Sequence, residues 1–417
     1  MTSPPAARPS PRPWSLADPA LRAVVALGCT QIIAWGTTLY VLGALGGPIA
    51  RDTGWGEAVV YGGLTVGLLV SAALSPTLGR VIDARGGRLV MSAGSVLAAV
   101  GLAALAVATS PAHYWLAWGL LGIAMRMTLY DAAFPALVQV TPSRGRRAIS
   151  VLTLFGGLAS TIFWPIAFWL DARHGWRATL LVFAALNLAV CLPLHWFGLA
   201  VREDAATTTA TATAGLIPAT GAAVEPLLTG RARTMALGLF SLVLAFAAFI
   251  FGAMAVHLVR LIEASGVPLE LAVGLASLKG VAQVGGRLAE IVFGGRLSPI
   301  MLGRLSIAVL PLSFAVLMAG GANFATALAF TLLFGIANGL VTIVRGAVPL
   351  VLFGREGYGA VLGLLATPYL VLNALAPVAF ALIVERWGYS GGTAVLLGLA
   401  IAALAAMEGL ALWYRRR

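Results

Sequence analysis

Apolar runs of about 20 residues follow one another along nearly the whole chain, and they decide what it can fold into. A helix needs about 20 apolar residues to cross the hydrocarbon core of a bilayer. Because lipid cannot hydrogen-bond an open backbone, such runs must be helical. The sequence therefore predicts an all-α membrane protein with twelve transmembrane helices, roughly at 23–49, 58–78, 89–108, 114–139, 148–170, 177–199, 234–257, 270–292, 303–320, 325–350, 359–383 and 392–414.

Composition and charge argue against the common soluble classes. Of the 417 residues, 60% are hydrophobic and 10% are charged, whereas soluble domains carry about 25% charged residues. The net charge of +12 comes from arginines between apolar runs, so it does not indicate nucleic-acid binding. Cys29 and Cys191 lie in apolar runs and provide neither a disulfide framework nor a zinc site. We expect no cofactor and no metal.

The arginines are distributed unevenly between the two sides of the predicted membrane. If the N-terminus is cytoplasmic, 18 arginines fall on the cytoplasmic side and five on the outer side. This asymmetry is the positive-inside pattern, and an even number of spans puts both termini inside. The sequence thus predicts a multi-pass protein of a bacterial inner membrane, in contact with the lipid bilayer, and we expect a monomer.

The two halves of the chain repeat one another. "LTVGL" at 64–68 matches "LAVGL" at 271–275, and "GRVID" at 79–83 matches "GRLAE" at 286–290, both at an offset of 207. Six spans in each half make this a parallel, pseudo-symmetric repeat of two six-helix bundles. The predicted regions are a disordered cytoplasmic tail (1–22), an N-terminal bundle (23–199), a flexible Ala/Thr-rich cytoplasmic linker (200–233) and a C-terminal bundle (234–417).

The segment "GRVIDARGGRLVM", between predicted spans 2 and 3, carries a family signature. Gly79, Asp83, Gly86 and Arg88 match a glycine, an acid and a second glycine followed by a base, although Ala84 stands where a basic residue is common. On these residues the chain resembles the major facilitator superfamily over nearly its whole length. The resemblance implies that Asp83 helps to hold the cytoplasmic side closed. The alternative is that this loop serves only solubility and topology.

The segment "LYDAAFPALVQVTPSRGRRAISVLTLFGGLASTIFWP" resembles bacterial members near the monocarboxylate and oxalate/formate branch. Drug/proton antiporters of the superfamily usually carry an Arg-x-x-Gln-Gly motif in the fourth span. Here Arg126 is followed by "MTLYD", which weakens a multidrug-exporter interpretation without excluding it.

Three cations and one acid lie well inside the predicted spans: Arg126, Lys279, Arg345 and Asp131. Each charge at the bilayer centre costs about 2.5–3.5 kcal/mol on insertion scales, so together they cost about 10 kcal/mol. Charges at this cost are expected to face a water-filled cavity or one another. Lys279, the only lysine, lies near the midplane, where secondary transporters bind their substrates. The alternative is that Lys279 only tethers a backbone carbonyl.

Further substrate-binding candidates are neutral residues one helical turn apart. Gln31 and Trp35 lie on the first span, and Tyr369 and Asn373 on the eleventh. Arg287, near a span end, is expected to extend to the membrane interface. The four histidines are also expected to be interfacial.

The repeat relates Asp131 to Arg345, at an offset of 214, and each is followed four residues later by proline. Opposite charges at related positions suggest a gate pair between the two bundles. The alternative makes Arg345 a second substrate ligand and Asp131 a proton carrier.

These features predict a secondary transporter that moves a small, monocarboxylate-like organic anion by alternating access, with proton symport as the expected coupling. One alternative is an exporter of drugs or other amphipathic compounds by proton antiport. Another is a non-transporting membrane sensor, for which the chain shows no output domain. An enzyme is not expected because no catalytic cluster is present, and no phosphate-binding loop indicates ATP-driven transport.

Overall fold

The computed structural model describes residues 18–142, 144–201, 228–294, 297–321 and 323–416. Within these ranges the regular secondary structure is entirely helical. The first half contains α1 (Pro19–Ala34), α2 (Val41–Thr53), α3 (Glu57–Arg85), α4 (Gly87–Ala106), α5 (Pro111–Thr128), α6 (Tyr130–Val140), α7 (Gly145–Gly157), α8 (Ala159–Leu186) and α9 (Leu192–Gly198), with π-helical turns at Trp35–Leu39 and Asn187–Cys191.

The second half contains longer, less interrupted helices. They are α10 (Gly230–Ala264), α11 (Leu269–Phe293), α12 (Pro299–Ala319), α13 (Phe324–Phe353) and α14 (Tyr358–Arg415). In the described part of the chain, nine helical stretches are long and apolar enough to cross a membrane. The helix α11, which carries Lys279, is 25 residues long and is not among the nine.

Two glycines divide the longest helical stretches. The stretch Gly145–Gly198 has 54 residues and α14 has 58. A straight helix of that length would extend about 80 Å, more than twice the roughly 30 Å hydrocarbon core. Gly175 (φ 77°) and Gly388 (φ 67°) interrupt the helical backbone, in a region of φ that favours glycine. The chain therefore leaves and re-enters helix at each of these two points.

The ends of two helices differ from the predicted regions. The first helix begins at Pro19, capped by the Asp18 carboxylate, which accepts a 2.9 Å hydrogen bond from the Ala20 N–H. The helix α10 begins at Gly230, inside the range predicted as linker. Residues 1–17 of the predicted tail and 202–227 of the predicted linker lie outside the described residues.

The two halves meet most closely at the end of the molecule that carries Asp83, which we call the motif end. There α3 packs against the first part of α14. A Cβ added at Gly79 would lie 2.2 Å from the carbonyl oxygen of Gly359, and one at Gly363 would lie 2.3 Å from that of Ser75. Only glycine allows backbones to approach this closely. The opposite end, which carries Asp52 and its partner Arg177, we call the far end.

Candidate functional site

The centre of the molecule holds an ion pair between the two halves. The guanidinium of Arg345 on α13 donates to the carboxylate of Asp131 on α6, the contact expected from the repeat. Only 8% of Asp131 and 9% of Arg345 is exposed. The Arg345 guanidinium also lies 4.1 Å from the centre of the Tyr369 ring, a cation–π distance. Whether the pair serves as a gate or binds substrate stays a prediction.

A break in the fourth predicted span positions Asp131. Leu129 has an extended backbone (φ −79°, ψ −171°), so α5 ends at Thr128 and α6 starts at Tyr130. Asp131 therefore lies in the first turn of α6, where the partial positive charge of a helix N-terminus favours a carboxylate. Position 129 is a leucine, neither glycine nor proline, so the sequence predicted one continuous helix from 114 to 139.

Two of the predicted cavity residues support this break. The Gln31 side-chain amide donates a 2.7 Å hydrogen bond to the Thr128 carbonyl, which lies at the end of α5. The Trp35 indole N–H donates in turn to the Gln31 side-chain oxygen at 3.0 Å. Gln31 is fully buried. In this conformation its amide is thus engaged with the protein backbone.

Aromatic rings pack beside the ion pair. The Trp35 ring centre lies 5.1 Å from that of Tyr130 and 5.8 Å from that of Tyr40, and Tyr130 stacks on Phe134 at 5.0 Å. Tyr369, on the other side, packs against Arg345. Asn373, one turn beyond Tyr369, donates a 3.2 Å hydrogen bond to the carbonyl of Ala248 on α10. The surroundings of the pair are thus aromatic on both halves.

Lys279 lies on the protein-facing side of α11. It falls on one face with Leu275 and Ala282, which are 2% and 8% exposed, whereas Val281 on the opposite face is 68% exposed. Its ammonium lies 5.9 Å from the centre of the Phe334 ring. Among the described residues, no carboxylate lies within the 4.0 Å ion-pair distance of this ammonium. Lys279 is therefore a half-buried cation without an acidic partner in that part of the chain.

Arg287 corrects a prediction from the sequence. It does not extend to the membrane interface: it is 2% exposed and its guanidinium donates to the carbonyls of Thr153 and Gly339 and to the Thr342 hydroxyl. All three acceptors are neutral. The position of Arg287 along α11 was compatible with exposure at the interface or with burial. It is buried because its face of α11 is turned toward α7 and α13. Arg287 is thus a second uncompensated cation near the centre.

Arg126, predicted to face a water-filled cavity or another buried charge, instead contacts a neutral residue. It is fully buried, and its guanidinium donates to the hydroxyl and carbonyl oxygens of Ser75 at 2.9 and 3.2 Å. Its third nitrogen, Nη1, has no hydrogen-bond partner in the described residues. In this conformation Arg126 joins α5 to α3 and does not line an open cavity.

The signature residues at the motif end form a contact between the halves. The two Asp83 carboxylate oxygens accept hydrogen bonds from the N–H groups of Gly359 and Ala360, at 2.8 and 2.7 Å, and so cap α14. Gly79 and Asp83 lie within α3 itself, Gly86 (φ 83°) makes the turn alone, and Arg88 is the second residue of α4, which starts at Gly87. The prediction of a longer loop is therefore corrected to a one-residue connection.

A second contact between the halves lies beside the first. Arg146, in the first turn of α7, donates to the carbonyl of Leu297 at 2.7 Å and to that of Gly294 at 3.0 Å. Its guanidinium lies 3.5 Å from Glu290, the residue that the repeat relates to Asp83. Each half thus places an acid against the first turn of a helix in the other half.

A cavity of about 160 Å³ lies at the motif end, lined by Asp83, Pro135, Val138, Gln139, Pro142, Arg355 and Tyr358. It does not include the central ion pair.

His195 also differs from its predicted interfacial position: it is fully buried, with ring nitrogens 2.8 Å from the Ser95 hydroxyl and 3.0 Å from that of Thr30. Among the described residues, no group of three or more His, Cys, Asp or Glu side chains could hold a metal ion.

Sequence relatives match only part of this chain. The "Uncharacterized 38 kDa protein in 23S RNA operon" of Thermoproteus tenax is 32% identical over 155 residues, covering 37% of this chain and 40% of that protein. Monocarboxylate transporter 13 of Rattus norvegicus is 29% identical over 124 residues, covering 30% of this chain and 29% of that protein. The match thus spans 40% or less of the length of these two relatives.

Solved structures and a family profile cover much more of the chain. The crystal structure of the human organic anion transporter MFSD10 (TETRAN) has a TM-score of 0.71 at 17% identity, covering 94% of this chain and all of that one. FucP, a major facilitator superfamily transporter in the outward conformation, has a TM-score of 0.69 at 12% identity, covering 94% and 99%. The Major Facilitator Superfamily profile matches residues 27–318. This chain belongs to the major facilitator superfamily.

Proposed function

We propose that this protein is a secondary transporter of a small organic anion that carries a carboxylate or a similar group. The observation that carries the proposal is the charge balance at the centre. Asp131 compensates Arg345, while Lys279 and Arg287 have no acidic partner within 4.0 Å among the described residues. A buried cation without a counter-charge is costly, and an anionic substrate would supply that charge.

The nature of the surrounding side chains supports an anion with an apolar body. Tyr369 lies against Arg345 of the ion pair, and Phe334 lies near Lys279. Trp35 packs on Tyr130, the residue before Asp131. Aromatic rings offer apolar area with limited polarity. The printed names of two similar proteins, an organic anion transporter and a monocarboxylate transporter, agree with this substrate class.

We further propose that the motif end faces the cytoplasm, with both termini on that side of a bacterial inner membrane. The arginine asymmetry supports this orientation. All twelve predicted segments would then cross the bilayer, as two six-helix bundles joined by the Ala/Thr-rich linker. The contacts of Asp83 and Arg146 close the motif end, so we assign the present conformation to the state closed to the cytoplasm.

For coupling, we propose that Asp131 carries the transported proton. Protonation of Asp131 removes its attraction for Arg345 and frees that guanidinium for the substrate anion. Proton and anion would then bind together at the interface between the halves, which is the requirement for symport. This scheme unites the gate and ligand roles predicted for the two residues.

The test is uptake of labelled monocarboxylates into proteoliposomes, with and without an inward proton gradient. We expect gradient-stimulated uptake that is lost in Lys279→Ala and retained in part in Lys279→Arg, which keeps the charge. Ser277→Ala is the matched control, because Ser277 lies two residues away on the exposed face of α11. Absence of anion-dependent flux, or full flux in Lys279→Ala, would refute the proposal.

An amphipathic-compound exporter is the second candidate, favoured by the same aromatic side chains beside the ion pair. The uptake assay separates the two functions when it also measures uptake of a lipophilic cation under an outward proton gradient, which drives uptake by proton antiport. A cation that is transported while carboxylates are not would support the exporter.

A further inference from the structure

One backbone carbonyl, that of Thr153 on α7, receives hydrogen bonds from two side chains. The Tyr130 hydroxyl on α6 donates to it at 3.2 Å, and the Arg287 guanidinium on α11 donates to it from the other half of the molecule. Thr153 is fully buried, and Tyr130 and Arg287 are 4% and 2% exposed. The buried Thr153 carbonyl thus accepts a hydrogen bond from one side chain of each half.

Two consecutive glycines make this arrangement possible. A Cβ added at Gly156 would lie 2.1 Å from the Tyr130 hydroxyl oxygen, and one at Gly157 would lie 2.5 Å from Nη1 of Arg287. Both distances are too short for real side-chain carbons. Alanine at Gly157 would therefore push the Arg287 guanidinium away from the Thr153 carbonyl, without removing the arginine.

The same element of the first half also reaches the central ion pair. Tyr130 and Asp131 are adjacent in the first turn of α6, directly after the break at Leu129. Asp131 binds Arg345 on α13, and Tyr130 shares the Thr153 carbonyl with Arg287 on α11. Because the two residues are neighbours on one short helix, a displacement of Asp131 also moves Tyr130.

We propose that Tyr130, Thr153 and Arg287 form a latch that holds the motif end closed, and that Asp131 releases it through Tyr130. In this role Arg287 is a positioning residue: it sets the equilibrium between closed and open conformations. When α7 and α11 separate, Arg287 loses its Thr153 acceptor and its charge becomes available. The proposal rests on transport by alternating access, as proposed above, but not on the identity of the substrate.

The test measures how often the motif end opens in the absence of substrate. A reporter cysteine at Ala366 suits this purpose, because Ala366 is 1% exposed and packs with Leu68 and Ala72 between the halves. Cys29 and Cys191 are first replaced by alanine. The rate at which a maleimide labels Ala366→Cys then reports the fraction of open molecules in detergent solution.

We expect Tyr130→Phe, Gly157→Ala and Arg287→Met each to raise this labelling rate about fivefold, the effect of losing one net hydrogen bond. Gly285→Ala is the matched control on α11: an added Cβ there meets nothing within 4 Å, so the rate is expected to stay unchanged. Tyr130→Phe and Gly157→Ala are mild changes that keep the test valid if Arg287→Met fails to fold. If Tyr130→Phe and Gly157→Ala were both labelled at the rate of the parent, the latch proposal would be overturned.

The link to Asp131 has its own test. Asp131→Asn, which imitates the protonated acid, is expected to raise the labelling rate in the parent. In a Tyr130→Phe background the same change is expected to add much less, because the latch is already weakened. Effects that simply multiply would overturn the proposed link through Tyr130. Since no substrate is present, these outcomes are independent of whether anions are transported.

Discussion

The carboxylate of Asp83 accepts a 2.8 Å hydrogen bond from the backbone N–H of Gly359, 276 residues further along the chain. A second bond, from the N–H of Ala360, completes the cap of α14. The acid of one half thus satisfies the start of a helix in the other half, where the helix dipole also favours its charge. The contact joins α3 of the first half to α14 of the second half at the motif end.

Asp83→Asn is expected to weaken this closure. The amide keeps one acceptor oxygen but loses the negative charge and the second acceptor, for a loss of about 1 kcal/mol. Labelling of the Ala366→Cys reporter should rise several-fold as a result. Asp52→Asn, which removes an acid at the far end, is the control and should leave this rate unchanged. Equal rates for the two variants would contradict a closing role for Asp83.

Gly79→Ala is expected to prevent full closure of the motif end. The new Cβ would lie 2.2 Å from the Gly359 carbonyl oxygen, and a backbone atom cannot move aside as a flexible side chain can. The helices α3 and α14 would have to separate, so reporter labelling should increase and transport should slow. Gly119→Ala has its nearest neighbour at 4.0 Å and is the matched control. A Gly79→Ala protein that labels and transports like this control would refute the prediction.

Breaking the central ion pair from one side should be worse than removing both charges. Asp131→Ala leaves Arg345 buried without its acid, which typically costs about 3–5 kcal/mol. The double variant Asp131→Ala/Arg345→Ala leaves no unpaired charge at this position and should recover part of that loss. Thermal unfolding of the three purified variants tests this order. A double variant less stable than both single variants would contradict it.

The ion pair between Arg304 and Glu408 is expected to stabilise the protein without affecting substrate affinity. The two side chains make a bidentate contact, 2.7 Å for each bond, between α12 and the last part of α14. Glu408→Gln should lower the melting temperature by about 2–4 °C. Glu263→Gln, in a more exposed pair with Arg260, should change it less. A change of the transport KM in Glu408→Gln would instead indicate a role in transport.

Several elements of the site could be predicted from the sequence because they depend on position along the chain. The offset of 214 relates Asp131 to Arg345, and their opposite charges made them candidate partners. The signature around Asp83 singled out a residue that lies at a contact between the two halves. Depth in a span likewise singled out Lys279, since burying a charge in lipid is costly wherever the helix packs.

Other elements could not be predicted because they depend on how helices rotate and pack. Arg287 could equally have reached the interface, and Arg126 could equally have faced a cavity. The break at Leu129 has no local sequence signal, and the amide of Gln31, 97 residues from its acceptor Thr128, supports it. No pattern within one span contains that information.

Hydrophobicity, the spacing of charges and the internal repeat were sufficient to predict a helical membrane protein built from two related halves. The free energy of transfer into lipid is favourable for each apolar segment separately, so it can be summed along the chain without knowledge of the fold. Only the tertiary structure decided the neutral partners of the other buried guanidinium groups: Ser75 for Arg126 and Thr153 for Arg287. Hydrogen bonds and ion pairs act over a few ångströms, so they depend on contacts between helices that are distant in sequence.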